Sequence, residues 1–387
     1  MVNINDNIII PRAAEKQVYS YMKPNNVVVI YGPRRSGKTT LLRQVRDNLK
    51  EEKVLWLEGE LAETQRVLSS QNLHKLKEVV GDHTVVIIDE AQAVPNIGLN
   101  LKIMVDQIPG IKIIASGSAT FDLARQVGEP LVGRKSTVWL YPLWVKEIND
   151  YYGHLGLAER LPDLLVYGGY PQVQLLTSAQ EKREYLSELI STYLYRDILE
   201  MDSVRNSAKI RDLLQMLALQ VGQEVSHHEL ATALEMGTQT IARYLDLLEQ
   251  SFVIVNVRGF SRNLRQEITR TSRYYFYDNG VRNALISNFN PPDTKVRSDV
   301  GALWENWLVM ERLKKQHYDN ILANNYFWRT YDQKELDWVE DRGGRLYGYE
   351  FKWNPQGKAK GAKLFTETYG ESEVKVIHRE NYLDFAG

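Results

Sequence analysis

The chain of 387 residues contains no cysteine, which excludes disulfides and thiolate metal sites. No apolar run reaches the ~18 residues that a membrane-spanning helix needs. An excess of one charge is also missing: 48 basic against 49 acidic side chains leave a formal net charge of −1. With no global field to steer a polyanion, any nucleic-acid contact has to come from a local patch. The first ten residues, Met1 to Ile10, carry Asp6, no basic cluster and no small-residue cleavage site. They do not read as a secretion signal, so a cytoplasmic protein is expected. There is no internal repeat and no low-complexity tract. The remaining composition, 43% hydrophobic and 25% charged, is that of an ordinary globular protein long enough for two or three domains.

One stretch stands out. The β-branched run Val27-Val28-Val29-Ile30 leads into Gly32-Pro33-Arg34-Arg35-Ser36-Gly37-Lys38-Thr39-Thr40, and a helical pattern of Leu41, Leu42, Val45 and Leu49 follows. Strand, Gly-x-x-x-x-Gly-Lys-Thr and helix in that order make a phosphate-binding loop of a nucleoside triphosphatase. Gly32 and Gly37 let successive N–H groups turn towards phosphate oxygens, and the helix adds the positive end of its dipole. Lys38 is expected to reach the β- and γ-phosphates, and the Thr39 hydroxyl to ligate magnesium.

A second run, Val85-Val86-Ile87-Ile88-Asp89-Glu90-Ala91-Gln92, reads as a strand buried on both faces that ends in two carboxylates. Asp89 is expected to hold magnesium, and Glu90 to polarise the attacking water. The segments 54–58 and 111–115 fit further strands of the same parallel sheet, joined by βαβ crossovers. Ser116 follows the second of them and suits a sensor of the γ-phosphate, with Ser118 as the alternative. No guanine-reading Asn-Lys-x-Asp motif is visible, which favours ATP over GTP.

The order Gly32-Pro33-Arg34-Arg35-Ser36-Gly37-Lys38-Thr39, Asp89-Glu90-Ala91-Gln92, Ser116-Gly117-Ser118, Gly133-Arg134, Tyr141-Pro142-Leu143 and Gly168-Gly169-Tyr170-Pro171 resembles AAA-type ATPases of bacteria and archaea. These carry a C-terminal domain long catalogued as of unknown function. The resemblance covers nearly the whole chain and implies an arginine that stabilises charge on the transferred phosphoryl group. Arg134 is the candidate, with Arg125 the alternative; either also fits an ordinary surface arginine. An arginine acting in trans would make the protein a homo-oligomer.

The expected fold class is α/β, with a P-loop core over 1–145 and a helical lid or linker over 146–205. Tyr193, Arg196 and Asp197 read there as core and linker residues. A winged helix is expected over 206–280. Its third helix, capped by Thr238, would turn Ile241, Tyr244, Leu245 and Leu248 inward and leave Gln239, Thr240, Arg243 and Asp246 outward. Arg258, Arg262, Arg265, Arg270 and Arg273 face the single acid Glu267 between 258 and 273, a set suited to DNA phosphates. The same module can instead serve packing.

Residues 281–387 resemble a restriction-endonuclease-like domain: Glu305 on a helix, Asp337 on one strand, and Glu350-x-Lys352 on the next, where spacing by two puts both side chains on one face. The resemblance implies that Asp337, Glu350 and Glu305 hold a second magnesium, with Lys352 orienting or deprotonating water. The other reading is a degenerate domain in which Glu350 and Lys352 form a salt bridge. Lys358, Lys360 and Lys363 fit a nucleic-acid backbone or a solvated helix face. Function is therefore expected to be ATP hydrolysis coupled to DNA, the alternative being a signalling switch whose C-terminal domain is a non-cleaving interaction module.

Overall fold

The computed structural model describes residues 9–117, 130–194, 207–261 and 272–387. Ser118, Arg125, Arg196, Asp197, Arg262, Arg265 and Arg270 lie outside the described residues, as does the side chain of Tyr193. The chain forms two compact units, residues 7–142 with 250–252, and residues 143–249 with 253–387.

In the first unit the apolar β-branched runs become strands because such residues fit a surface packed on both sides. The strands are β1 (Asn26–Tyr31), β2 (Val54–Glu58), β3 (Val85–Asp89), β4 (Lys112–Gly117) and β5 (Lys135–Trp139). Every pair is parallel, in the order β2-β3-β4-β1-β5. Val27 to Ile30 and Val85 to Ile88 are fully buried. Helices α1 (Ala14–Tyr21), α2 (Lys38–Asn48), α3 (Ala62–Leu68), α4 (Leu73–Val80) and α5 (Ile97–Gln107) accompany the sheet. Because β4 sits between β1 and β3, its register pairs Ile30 with Ser116 and Ala115 with Ile88. One edge of the sheet thus collects the loop after β1, Asp89 and Ser116.

The second unit opens with α6 (Val145–Tyr167), α7 (Pro171–Leu175) and α8 (Ala179–Glu188). Gly168 ends α6 with φ 78°, and a Cβ there would lie 1.9 Å from an Asp278 oxygen, so only glycine fits. Asp278 accepts from the amides of Gly169, Gly280 and Val281 at 2.7, 2.8 and 3.2 Å, which ties the Gly168-Gly169 turn to α12 (Asn279–Leu285). These helices, expected as a lid or linker, belong to the second unit, where Asn279 and Asn283 bond the carbonyls of Leu165 and Val166.

Between them come α9 (Ser207–Leu219), β6 (Glu224–Val225), α10 (His227–Ala233), α11 (Thr238–Gln250), β7 (Ile254–Gly259) and β8 (Ser272–Phe276). Ser226 caps α10 by accepting from the Glu229 amide, and Thr238 is the first residue of α11. Beyond α12 run α13 (Val300–Tyr318), β9 (Asn324–Arg329), β10 (Glu335–Arg342), β11 (Arg345–Phe351), α14 (Ala362–Tyr369), β12 (Ser372–Ile377) and α15 (Tyr382–Ala386). The structure joins what the sequence pattern divides: one seven-stranded sheet, β12-β11-β10-β9-β7-β8-β6, runs through both segments. The junction is the parallel pairing of Arg258 and Gly259 with Tyr326 and Phe327. Phe260, Trp328, Leu336, Val339, Leu346 and Phe365 pack as one buried cluster beside it.

Candidate functional site

The loop after β1 is shaped by close approach. A Cβ on Gly32 would meet the Leu140 carbonyl oxygen at 2.1 Å, so any side chain there would displace the loop. Arg35 and Gly37 take positive φ of 65° and 99°, which turns the chain into α2. Gly37 is the N-cap and supplies no side-chain hydrogen bond to the start of α2, the end of a helix that favours an anion. Lys38 is buried and donates from Nζ to the carbonyls of Gly32 and Pro33, 3.0 Å each. Arg35 and Thr40 are exposed, whereas Ser36 is buried and its hydroxyl lacks a partner among the described residues.

Arg12 belongs to no sequence motif, and its part in the site emerges only from the fold. Its guanidinium, 7% exposed, donates to Ser36 O at 2.7 Å and Tyr141 O at 2.5 Å, pinning the phosphate loop to the Tyr141-Pro142 segment.

Asp89 is the hub of the edge. Thr39 donates from Oγ1 to its Oδ2 at 2.6 Å, and Ser116 donates from Oγ to its Oδ1 at 2.5 Å. Ser116 Oγ in turn accepts from the Glu90 amide at 3.0 Å. Glu90 stands in the left-handed region at φ 50°, which swings its side chain off the strand. Gln92 donates to the Glu90 carboxylate and so orients it, a role that the sequence motif does not reveal. The amide of Gly59 bonds Asp89 O at 2.8 Å, and a Cβ on Gly59 would lie 2.4 Å from Glu90 O. Two hard oxygen donors, Thr39 Oγ1 and Asp89 Oδ2, stand together beside the loop, and this fits a magnesium ion.

Arg134 is not brought here. It precedes β5, and its carbonyl accepts from the Val27 amide at the start of β1. In a parallel sheet that is the edge opposite the phosphate loop, about 13 Å along the strand. Its guanidinium pairs instead with Asp106 at 2.5 Å. Arg134 therefore does not complete the site of its own chain.

The second predicted constellation lies within the C-terminal unit. Glu305 on α13 accepts from the Tyr275 hydroxyl at 2.7 Å, and Asp337 on β10 accepts from the Phe351 amide at 2.7 Å. Glu350 on β11 pairs with Lys352 at 2.6 Å, as the spacing by two requires. Burial pushes the Glu305 carboxyl up to about 8 and the Glu350 carboxyl up to about 7, with the charge of Asp337 adding to each. Burial raises Asp337 as well.

Arg273 departs most from expectation. Expected to meet DNA phosphates, it is 3% exposed and points into this cluster. It reaches Glu335 at 2.6 Å, Glu305 at 3.7 Å and Asp337 at 3.9 Å, and it lies over the Phe327 ring at 4.4 Å. Burial alone would lower the pKa of its guanidinium; Tyr275, Glu305, Glu335 and Asp337 raise it instead. A cleft of about 420 Å³ opens here, lined among others by Glu224, Arg273, Glu305, Arg329, Glu335 and Asp337. Among the described residues no three His, Cys, Asp or Glu side chains come together to hold a metal. Glu305, Asp337 and Glu350, expected as ligands of a second magnesium, do not fit one, because a cation of the chain itself faces two of them.

On α11, Ile241, Tyr244, Leu245, Leu247 and Leu248 are buried while Gln239, Arg243 and Asp246 are exposed, as is Arg258 on β7. Lys358, Lys360 and Lys363 are exposed too.

Comparisons with known proteins match three stretches of the chain. An AAA domain model matches residues 24–149. A domain of unknown function (DUF8612) matches 158–292, running through α6 to α12, and another (DUF4143) matches 300–384. The protein is 30% identical over 329 residues to Uncharacterized protein Rv2008c of Mycobacterium tuberculosis, covering 84% of this chain and 70% of that one. It is 24% identical over 357 residues to Uncharacterized protein MJ1544 of Methanocaldococcus jannaschii, covering 87% and 77%. Among solved structures, the Walker-type ATPase PABY2304 of Pyrococcus abyssi shares the fold at a TM-score of 0.50 and 15% identity, over 72% of this chain and 96% of that one. The chain is an AAA-type P-loop ATPase and belongs to the family of the mycobacterial protein Rv2008c.

Proposed function

We propose that the protein hydrolyses ATP at the edge where β1, β3 and β4 end. The observation that carries this reading is the unbroken chain Thr39–Asp89–Ser116–Glu90 N, which sets a metal-side carboxylate, a polar sensor and a water-side carboxylate around one phosphate loop. The loop amides and Lys38 bind the β- and γ-phosphates. Thr39 and Asp89 hold magnesium, which when bound neutralises phosphate charge. Glu90, oriented by Gln92, takes the proton of the water that attacks the γ-phosphorus. Ser116 joins the Asp89 carboxylate to the Glu90 amide, so that a change at the γ-phosphate is felt at Asp89 and at the Glu90 backbone together.

Glu90→Gln keeps the size of the side chain and removes the base. Steady-state turnover is expected to fall about 10²–10⁴-fold while ATP affinity, read with a fluorescent nucleotide, stays near that of the wild type. Lys38→Ala loses binding and turnover together. Unchanged kcat in Glu90→Gln would remove Glu90 as the base.

A second reading concerns DNA. The support is the outward face of α11, where Gln239 and Arg243 stand exposed over a buried apolar stripe, with Arg258 exposed on the neighbouring strand. We assign this face of a winged helix to duplex phosphates. Arg243→Glu with Arg258→Glu should weaken binding to a short duplex and lower the slope of affinity against salt by about one for each phosphate no longer met. A salt slope equal to that of the wild type would end this assignment.

A further inference from the structure

The nuclease-like arrangement of Glu305, Asp337 and Glu350 asks for a divalent cation that the residues do not accommodate. We propose that Arg273 has taken the cation's place, so that the acidic cluster of the C-terminal unit is a guanidinium site closed to metal.

Three observations support the exchange. The first is position: one terminal nitrogen of Arg273 lies 3.7 Å from Glu305 Oε1 and 3.9 Å from Asp337 Oδ1, between the helix acid and the strand acid, while the other bonds Glu335 at 2.6 Å. A planar fork can answer several carboxylates at once, which an ammonium cannot do with the same reach. The second is fixation. The backbone of Arg273 pairs with Val257 on one side and Glu224 on the other, inside the sheet, and its side chain lies over Phe327. The strand register thus fixes which face Arg273 takes, and a one-residue slip that turned it away would turn Tyr275 to the other face as well. The third is that each acid already has a polar partner: Tyr275 bonds Glu305 Oε1, the Phe351 amide bonds Asp337 Oδ2, and Lys352 pairs with Glu350 Oε1, while Glu350 Oε2 has no hydrogen bond among the described residues. Burying carboxylates without a counter-charge is costly, and here the counter-charge is encoded in the chain. The acids that face the cleft then have their counter-charge in place, which removes the electrostatic demand for an ion that would generate a nucleophile.

The test uses the full chain without nucleotide and Mn2+ as the probe, with bound ion counted by the loss of the free-ion electron paramagnetic resonance signal. Wild type and Asp337→Asn should bind the same amount of Mn2+, since nothing at the cluster binds it. Arg273→Met keeps the packing on Phe327 and removes the charge; it should gain one Mn2+ per chain, and Arg273→Met with Asp337→Asn should lose it again. Arg273→Lys, still cationic, should gain none. A Mn2+ ion bound by the wild type and lost in Asp337→Asn would overturn the proposal. So would a folded Arg273→Met, judged by near-ultraviolet circular dichroism, that gains no ion. If Arg273→Met does not fold, wild type against Asp337→Asn still decides whether the cluster holds metal.

Discussion

Two acidic sites in this chain answer their carboxylates in opposite ways. At the nucleotide edge Asp89 is met by two hydroxyls and Lys38 donates to two backbone carbonyls, and each of these four bonds joins a charged group to a neutral one that a ligand can replace. In the C-terminal cluster Glu305, Glu335 and Asp337 meet a guanidinium, and Glu350 meets an ammonium. The first site is charged and waiting; the second is already compensated. Sequence motifs alone do not make this distinction, because both sites show the acids in the right order and only the partners differ.

The largest expected effect tests that contrast through stability. Arg273→Ala leaves the buried Asp337 and the partly buried Glu305 and Glu335 without their cation and should lower unfolding free energy by about 3 kcal/mol. Asp89→Asn keeps an acceptor for one of the two hydroxyls, Thr39 or Ser116, turns an NH2 to the other, and should cost only about 1 kcal/mol. Urea unfolding of the two variants, followed by tryptophan fluorescence, measures both. Equal losses would mean that the nucleotide edge depends on its internal partners as strongly as the cluster does, and the contrast would fail.

Much of the first site is legible in the sequence because its parts are local. Gly32 to Thr40 is one contiguous motif, and a run such as Val85 to Ile88 buried on both faces puts whatever follows it at the ligand edge of a parallel sheet. Ser116 follows from the same rule. Arg134 does not: its motif neighbourhood is recognisable, but which end of β5 it occupies depends on strand pairing, and the pairing places it at the far edge. Arg12 is invisible because its two contacts span 24 and 129 residues. Arg273 leaves a signal that composition hides. It sits two residues before Tyr275 in a short strand, so both side chains take one face, and both meet Glu305. Counted with four neighbouring arginines it looks like part of a patch; taken by strand alternation it points inward. The single sheet across β6 to β12 has no local signature either, since the β7–β9 pairing joins segments separated by almost seventy residues.

A smaller effect sharpens the nucleotide half of the comparison. If neutral, exchangeable partners let the loop adapt to phosphate, something else must hold its frame, and Arg12 does so from outside. Arg12→Ala removes charged hydrogen bonds to Ser36 O and Tyr141 O, a loss of about 1.5–3 kcal/mol that falls mainly on loop order. Nucleotide affinity should drop about tenfold or more while kcat at saturation changes little, because Arg12 touches the loop and not the reacting atoms. A fall in kcat with unchanged affinity would place Arg12 in the chemistry.

The smallest effect comes from a third carboxylate, which has neither a wealth of hydroxyls nor a bound cation. Glu249, near the end of α11, is pushed up to about 7 from an ordinary 4.5, chiefly by burial and further by Asp246, against a hydrogen bond from Asn256 and the charge of Arg258. The sign follows from proton linkage: a folded pKa above the unfolded one means that the folded state binds the proton more tightly. Glu249 then contributes stability in full below about pH 4.5 and loses it as pH rises through about 7. Partial solvent access discounts the effect to about 1–2 kcal/mol. Glu249→Gln, uncharged throughout, should flatten this part of the stability profile and leave the variant more stable than wild type at pH 8. Thermal melts of both proteins at pH 5 and pH 8 read it directly, and parallel pH dependence in the two would assign the titration to another group. Arg273 and Glu249 are then two outcomes of the same burial cost: Arg273 keeps its charge because carboxylates stand around it, while burial pushes the carboxyls of Glu305, Glu350 and Glu249 towards their protonated forms.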